Sequence, residues 1–232
     1  MTIYNNLDLI NRDIEELLQR LDRENEPFTL IAVSKTVDCD KIQEAIGWGI
    51  TDIGENKVQE ILRKEKELGD SVRIHMIGAL QSNKVKDVID KSVLIHSLDR
   101  NSLLKEIEKR GRQKEQIVDC LIEINLGEEE SKAGIYLENL EEFIQKIEHC
   151  SFVRIKGLMT IAPFFEDTEK VRPIFKKMKE LYDDINSRKL NNFDMEYLSM
   201  GMSHDFKVAI EEGSNMVRIG TSIFGERDYS KK

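Results

Sequence analysis

Ile3, Leu7, Ile10, Ile14, Leu17, Leu18 and Leu21 recur at steps of three and four, which predicts an amphipathic helix within the first 25 residues. Pro27 breaks that pattern, and Thr29-Leu-Ile-Ala-Val-Ser34 follows as a short, uninterrupted apolar run. Such a run suits a strand covered on both faces, as in a parallel sheet. Comparable runs stand at 51–54, 73–78, 93–98, 118–126, 153–161, 196–200 and 216–224. The stretches between them are charged and keep helical spacing, as in Val171, Ile174, Phe175, Met178, Leu181, Tyr182 and Ile185.

Eight predicted strands therefore alternate with helices. Sharing 232 residues among eight units gives 29 each, close to the roughly 30 that a βα unit takes. Strict alternation makes the strands parallel, because each crossover helix returns the chain to the same edge. The pattern predicts the α/β class and a single (β/α)8 barrel domain over residues 1–232, with the helix of residues 1–25 completing the outer ring. An open, doubly wound sheet is the competing arrangement.

Composition narrows the picture. The chain is 40% hydrophobic and 34% charged, a globular balance. No apolar run approaches the roughly 20 residues of a membrane span, and the first residues do not read as a signal peptide. A net charge of -9 argues against a broad nucleic-acid footprint. Cys39, Cys120 and Cys150 are far apart, which suits reduced thiols and a cytoplasmic protein. No linker is visible, and a monomer is expected.

A barrel places its site at the C-terminal ends of its strands, with phosphate often held after strands seven and eight. Those ends carry Lys35, Gly54-Glu55-Asn56, His75 to Gly78, Ser97, Asn125, Met159-Thr160, Ser199 to Ser203 and Arg218 to Ser222. They are small, polar or cationic, as a pocket for an anionic small molecule requires. There is no G-x-G-x-x-G, Walker loop, H-E-x-x-H or G-x-S-x-G in the chain. The four histidines lack ligand spacing, so no metal is expected.

Lys35 closes the first predicted strand. It reads either as a strand-end lysine reaching into water or as an amine held at the barrel mouth, able to condense with an aldehyde. Across the mouth, Ser199-Met-Gly-Met-Ser203 precedes a predicted helix over 205–212, and Ile219-Gly-Thr-Ser222 forms a second small, hydroxyl-bearing loop. Ser203 alone could be a helix cap and Gly220 a turn glycine. Together they favour a phosphate cradle. A lysine at one strand end facing a phosphate cradle describes pyridoxal 5′-phosphate (PLP), which carries an aldehyde and a phosphate on one ring.

Long stretches also resemble the pyridoxal-phosphate homeostasis family. They include Ala32-Val-Ser-Lys-Thr36, Gly54-Glu-Asn-Lys-Val-Gln-Glu60, His75-Met-Ile-Gly-Ala-Leu-Gln-Ser-Asn-Lys84 and Gly127-Glu-Glu-Glu-Ser-Lys-Ala-Gly134. Gly157-Leu-Met-Thr-Ile-Ala-Pro163, Leu198-Ser-Met-Gly-Met-Ser203 and Val217-Arg-Ile-Gly-Thr-Ser-Ile-Phe-Gly225 continue the match. Ala79 and His204 depart from it and are expected outside the cofactor core. The resemblance implies a barrel like the N-terminal domain of alanine racemase, with PLP bound to Lys35 as a Schiff base. It further implies phosphate contacts from Ser199, Gly220 and Thr221, with Ser203 a further candidate, Arg218 near the pyridine nitrogen and Asn56 near the ring. The implied role is PLP and vitamin B6 homeostasis, with indirect effects on amino and keto acid balance and PLP-dependent apoenzymes as candidate partners.

Catalysis is not expected. Arg218 is a permanent donor where strong carbanion chemistry places a carboxylate, although an arginine there also matches alanine racemase and does not by itself exclude racemisation. Alanine racemase draws its second base, a tyrosine, from another domain, and neither Tyr136 nor Tyr229 is placed for that role. An amino acid racemase is the alternative. Lys84, Lys86 and Lys91 form a small basic patch that reads as a solvated helix face or as a dock for an apoenzyme or a second anion.

Overall fold

The computed structural model describes residues 2–127 and 133–225. Tyr229 and residues 128–132 of the Gly127–Gly134 motif lie outside the described residues. Eight parallel strands close on themselves: β1 Thr29–Val33, β2 Asp52–Glu55, β3 Arg73–Met76, β4 Leu94–Leu98, β5 Val118–Glu123, β6 Val153–Met159, β7 Phe193–Met202 and β8 Met216–Ile219. Pairing of Thr29 to Ala32 with Met216 to Ile219 seals β1 against β8. The open doubly wound sheet is thereby excluded.

The helices are α1 Ile3–Arg20, α2 Cys39–Trp48, α3 Val58–Leu68, α4 Val85–Val88, α5 Asn101–Lys114, α6 Leu137–Glu148, α7 Arg172–Ser187, α8 Phe206–Glu211 and α9 Thr221–Phe224. Helix α1 buries the stripe of Ile3, Leu7, Ile10, Ile14, Leu17 and Leu18, and packs against α2, α8 and α9. Thr2 caps it by accepting from the Asn5 amide. Among the described residues, no helix is long and apolar enough to cross a membrane.

Strand boundaries differ from the sequence expectation where apolar character outlasts the sheet. The run 216–224 splits, because the chain turns at Gly220 and Thr221–Phe224 coils into α9. Ile223 is buried there, and its carbonyl accepts from the Asn6 side chain of α1. Strand β7 is longer than predicted, and its register with β6 shifts between Ile155 and Gly157. Gly157 has φ 147, and a Cβ there would lie 1.8 Å from the Tyr197 carbonyl oxygen. Only glycine permits that approach.

Alternate strand residues divide between two cores. Ala32, Ile53, Ile95, Cys120, Leu198 and Val217 belong to the cluster shared with the helices. Ile31, Leu94, Leu121, Met159 and Met216 form a separate small cluster inside the barrel. The barrel interior is otherwise polar: Asp52, His75, His96, Glu123, Thr160, Ser199 and Arg218 are all buried.

Candidate functional site

Continuing the two-residue alternation from Ile31 through Val33 brings the next same-face residue, Lys35, to the C-terminal mouth. Val33 and Lys35 both line a cavity of about 500 Å³, within the size range of small-molecule sites. Asn56, Ser203, Arg218, Gly220 and Thr221 line the same cavity. Six of the seven residues expected from sequence are thus brought to one place. Ala79 and His204, expected outside the cofactor core, also line it.

Lys35 and Asn56 stand on a rigid base. Beneath them Lys64 of α3 is fully buried, donating to the Ser34 carbonyl (2.6 Å) and to Glu55 Oε1 (2.5 Å). The Ser34 hydroxyl donates to the same carboxylate oxygen at 2.5 Å. Burial pushes the Glu55 carboxyl up, while Lys64 and Ser34 pull it back. One cation therefore ties the residue before Lys35 to the residue before Asn56. Directly after Lys35, Thr36 sits at φ 64, a left-handed conformation that costs a β-branched residue about 1–3 kcal/mol. Asn56 is also held by close approach: a Cβ on Gly78 would lie 2.6 Å from its carbonyl oxygen.

The adjoining wall comes from β7 and β8; because β8 pairs directly with β1, this corner lies beside Lys35 and not across the mouth from it as the sequence suggested. The amides of Gly220 and Ser222 both point at the Ser203 hydroxyl, at 3.3 and 3.4 Å. Two backbone donors, two hydroxyls and a glycine thus share one corner of the mouth. The Met202 amide is directed elsewhere, to the Asp205 carboxylate at 2.6 Å, which fixes the loop leading into α8.

Arg218 forms the floor. It is buried, donating from one guanidinium nitrogen to the Ser199 hydroxyl (2.6 Å) and from the other to the Thr160 carbonyl (2.9 Å). Burial pushes its pKa down to about 10, against the pull of Glu123 and Asp205, so it stays a cation at neutral pH. Ser199 is not among the residues lining the cavity. Its fully buried hydroxyl accepts from Arg218 and faces His96 Nδ1 at 3.3 Å, inside the barrel.

Sequence reading missed Glu123. It closes β5, lines the cavity and is 5% exposed. Burial pushes its pKa up to about 7, with Asp99 adding to the rise and Arg218 and Arg100 opposing it. His75 and His96, distant in sequence, meet with Nδ1 and Nε2 3.0 Å apart. Of the three lysines of the basic patch, Lys91 pairs with Glu65 of α3 at 3.0 Å. Among the described residues Lys84 and Lys86 form no ion pair.

A closed parallel barrel whose mouth gathers a lysine, a buried arginine and a hydroxyl-and-amide corner defines a cofactor-type barrel, and comparison with known proteins specifies which. Residues 6–228 match the family model for the alanine racemase N-terminal domain. The pyridoxal phosphate homeostasis protein of Aquifex aeolicus is 45% identical over 230 residues, covering 99% of this chain and 100% of that protein. The chain belongs to this family of pyridoxal phosphate homeostasis proteins. A solved structure of PipY from Synechococcus elongatus PCC7942 with PLP bound superposes with TM-score 0.79 at 30% identity, covering 91% of this chain and 100% of that one. Alanine racemase of Clostridium difficile 630 shares the fold alone, with TM-score 0.68 at 15% identity over 96% of this chain and 56% of that chain.

Proposed function

We propose that this chain holds pyridoxal 5′-phosphate at the C-terminal mouth of the barrel, on Lys35, and serves in balancing vitamin B6 supply. The carrying observation is that one cavity is lined by Lys35 together with Ser203, Gly220, Thr221 and Arg218. Family membership and the PLP bound by PipY support the same reading. The donor set fits the group. The Gly220 and Ser222 amides with the Ser203 and Thr221 hydroxyls suit a phosphate dianion, and the lysine suits an aldehyde.

When bound, the cofactor supplies an aldehyde that condenses reversibly with an amine, with loss of water. Lys35 would hold that aldehyde, Ser203 with Gly220, Thr221 and Ser222 would bind the phosphate, and Asn56 would border the ring. Arg218 would face the ring nitrogen with N–H donors and no acceptor. Such a group does not keep the nitrogen protonated, so the site is a poor electron sink; because an arginine there is also a racemase feature, the holding role is to be separated from a racemase by assay. Release to PLP-dependent apoenzymes is the corresponding use.

The test is loading with PLP, borohydride treatment and peptide mapping. A single pyridoxyl adduct on Lys35, absent from Lys35→Ala, is expected. Label on another lysine would overturn the assignment. Incubation of the loaded protein with single amino acid enantiomers is expected to give no inversion, and steady inversion would favour the racemase reading.

A further inference from the structure

The buried polar groups inside the barrel are not scattered. From the cavity floor downward, Arg218 donates to Ser199 Oγ (2.6 Å) and Ser199 Oγ meets His96 Nδ1 (3.3 Å). His96 Nε2 then meets His75 Nδ1 (3.0 Å), and His75 Nε2 meets Asp52 Oδ1 (2.7 Å). Asp52 Oδ2 accepts from Arg73 and from the Thr51 hydroxyl, each at 2.6 Å. Arg73 is exposed at the N-terminal mouth. The chain of contacts therefore runs the full height of the barrel, from solvent at one end to the proposed cofactor cavity at the other.

Elementary hydrogen-bond accounting fixes its direction. Arginine has no acceptor, so Ser199 Oγ accepts from Arg218 and its own proton must go elsewhere. His96 Nδ1 is the acceptor the structure places within reach. That puts the His96 proton on Nε2, where it is donated to His75 Nδ1, and His75 in turn donates from Nε2 to Asp52. Every group is then satisfied, and every donor points the same way. The reverse order, with His96 carrying its proton on Nδ1, gives Ser199 two donors and leaves its buried hydroxyl proton with no acceptor. Burial, with His75 and Arg218 nearby, holds His96 well below the ordinary imidazole range, consistent with the neutral ring this order requires.

We infer that Ser199, His96, His75 and Asp52 form a one-way donor chain whose function is to position Arg218. The inference rests on the reading of Arg218 as the group facing the cofactor ring. Two anchors, Ser199 and the Thr160 carbonyl, fix the plane of the guanidinium and leave its remaining N–H groups for the cavity. They also hold it against Glu123, the acidic cavity residue that attracts it. Asp52 ends the chain because its carboxylate can only accept. Burial pushes its pKa up, but hydrogen bonds from His75, Arg73 and Thr51 outweigh that and hold it down at about 2.

The experiment is nitrogen-15 NMR of histidine-labelled full-length protein, which reads imidazole tautomers directly, combined with PLP titration of variants. His75 and His96, assigned by single substitution, are both expected to carry the proton on Nε2 and none on Nδ1. Asp52→Asn removes the terminal charge and turns one of its two accepting oxygens into a donor, so that His75 and Arg73 can no longer both be accepted. It is expected to shift the His75 tautomer and weaken PLP retention about tenfold, as loss of a charge-assisted bond does. Should Asp52→Asn not fold, Ser199→Ala breaks the chain without removing a charge and is expected to weaken retention similarly. Asp119→Asn, at the same mouth but outside the chain, is expected to do neither. A proton on Nδ1 of either ring, or unchanged retention in a folded chain-breaking variant, overturns the inference. Absence of PLP binding by the unaltered protein would sink the reading of the site, and the tautomers would still decide the order of the chain.

Discussion

Glu123→Gln isolates the energetic consequence of placing a carboxyl group in the cofactor cavity. The side chain is 5% exposed, and burial raises its pKa from the ordinary 4.5 to about 7. The sign follows from proton counting. Below pH 4.5 the folded and unfolded chains both hold the proton, and Glu123 contributes nothing. Between 4.5 and about 7 the unfolded chain has released the proton while the folded chain keeps it, so stability falls as pH rises. Above about 7 the full penalty is present. The interval corresponds to about 3 kcal/mol at 1.36 kcal/mol per pH unit. Glutamine keeps the shape and polarity but has nothing to ionise. Urea denaturation of cofactor-free protein should therefore show Glu123→Gln unchanged at pH 4 and stabilised at pH 8.5 by up to about 3 kcal/mol. That is a midpoint shift of about 1 M or more for slopes near 1–3 kcal/mol/M. An equal effect at both pH values, or destabilisation at pH 8.5, would refute the argument. The second result would mean that the carboxylate is compensated by Arg218 and Arg100 more fully than its burial allows.

Lys64→Met removes the cation beneath the mouth and strands Glu55, so urea denaturation near neutral pH should show a loss of about 3–5 kcal/mol. A loss under 1 kcal/mol would show that the clamp does not hold the ends of β1 and β2. Thr221→Val keeps the side-chain shape and deletes a hydroxyl at the proposed phosphate corner. PLP retention measured by dialysis should fall by the equivalent of about 1 kcal/mol or more, and unchanged retention would move the phosphate elsewhere.

The barrel was legible because its strands are buried on both faces and appear as eight apolar runs between amphipathic helices. Lys35, Arg218 and the Ser203 and Gly220–Thr221 loops were legible because strand position alone assigns them to the mouth. The interior polar chain was not. In a strand covered on both sides, hydrophobic residues occupy both faces, and alternation does not announce which residues turn inward. Asp52 beside Ile53 and His75 between Ile74 and Met76 look like polar interruptions of a run. Only closure of the barrel shows that Asp52, His75, His96 and Ser199 share one interior. Glu123 was hidden for the same reason, inside Leu121-Ile-Glu-Ile-Asn125. Ser199 belongs to the same sequence run as Met202 and Ser203, which line the cavity, but its own side chain is buried on Arg218 and His96, a contact no sequence spacing announces.

The two ends of the proposed site are supported by machinery in different compartments. Lys35 and Asn56 rest on Lys64, a helix residue reaching the strand ends at Ser34 and Glu55, with Thr36 fixing the exit from β1. Arg218 rests on a chain that lies inside the barrel and ends at the far mouth on Asp52 and Arg73. The interior chain includes neither Ser34 nor Glu55. Packed, separate supports of this kind contribute nearly independently. A carrier must grip a cofactor by several groups and still let it go, and that is easiest when no single group governs the rest. Here the mouth ends of β1 and β2 and the arginine floor are each fixed by their own neighbours. Each can therefore weaken its hold on a ligand without unfolding the frame that supports the other.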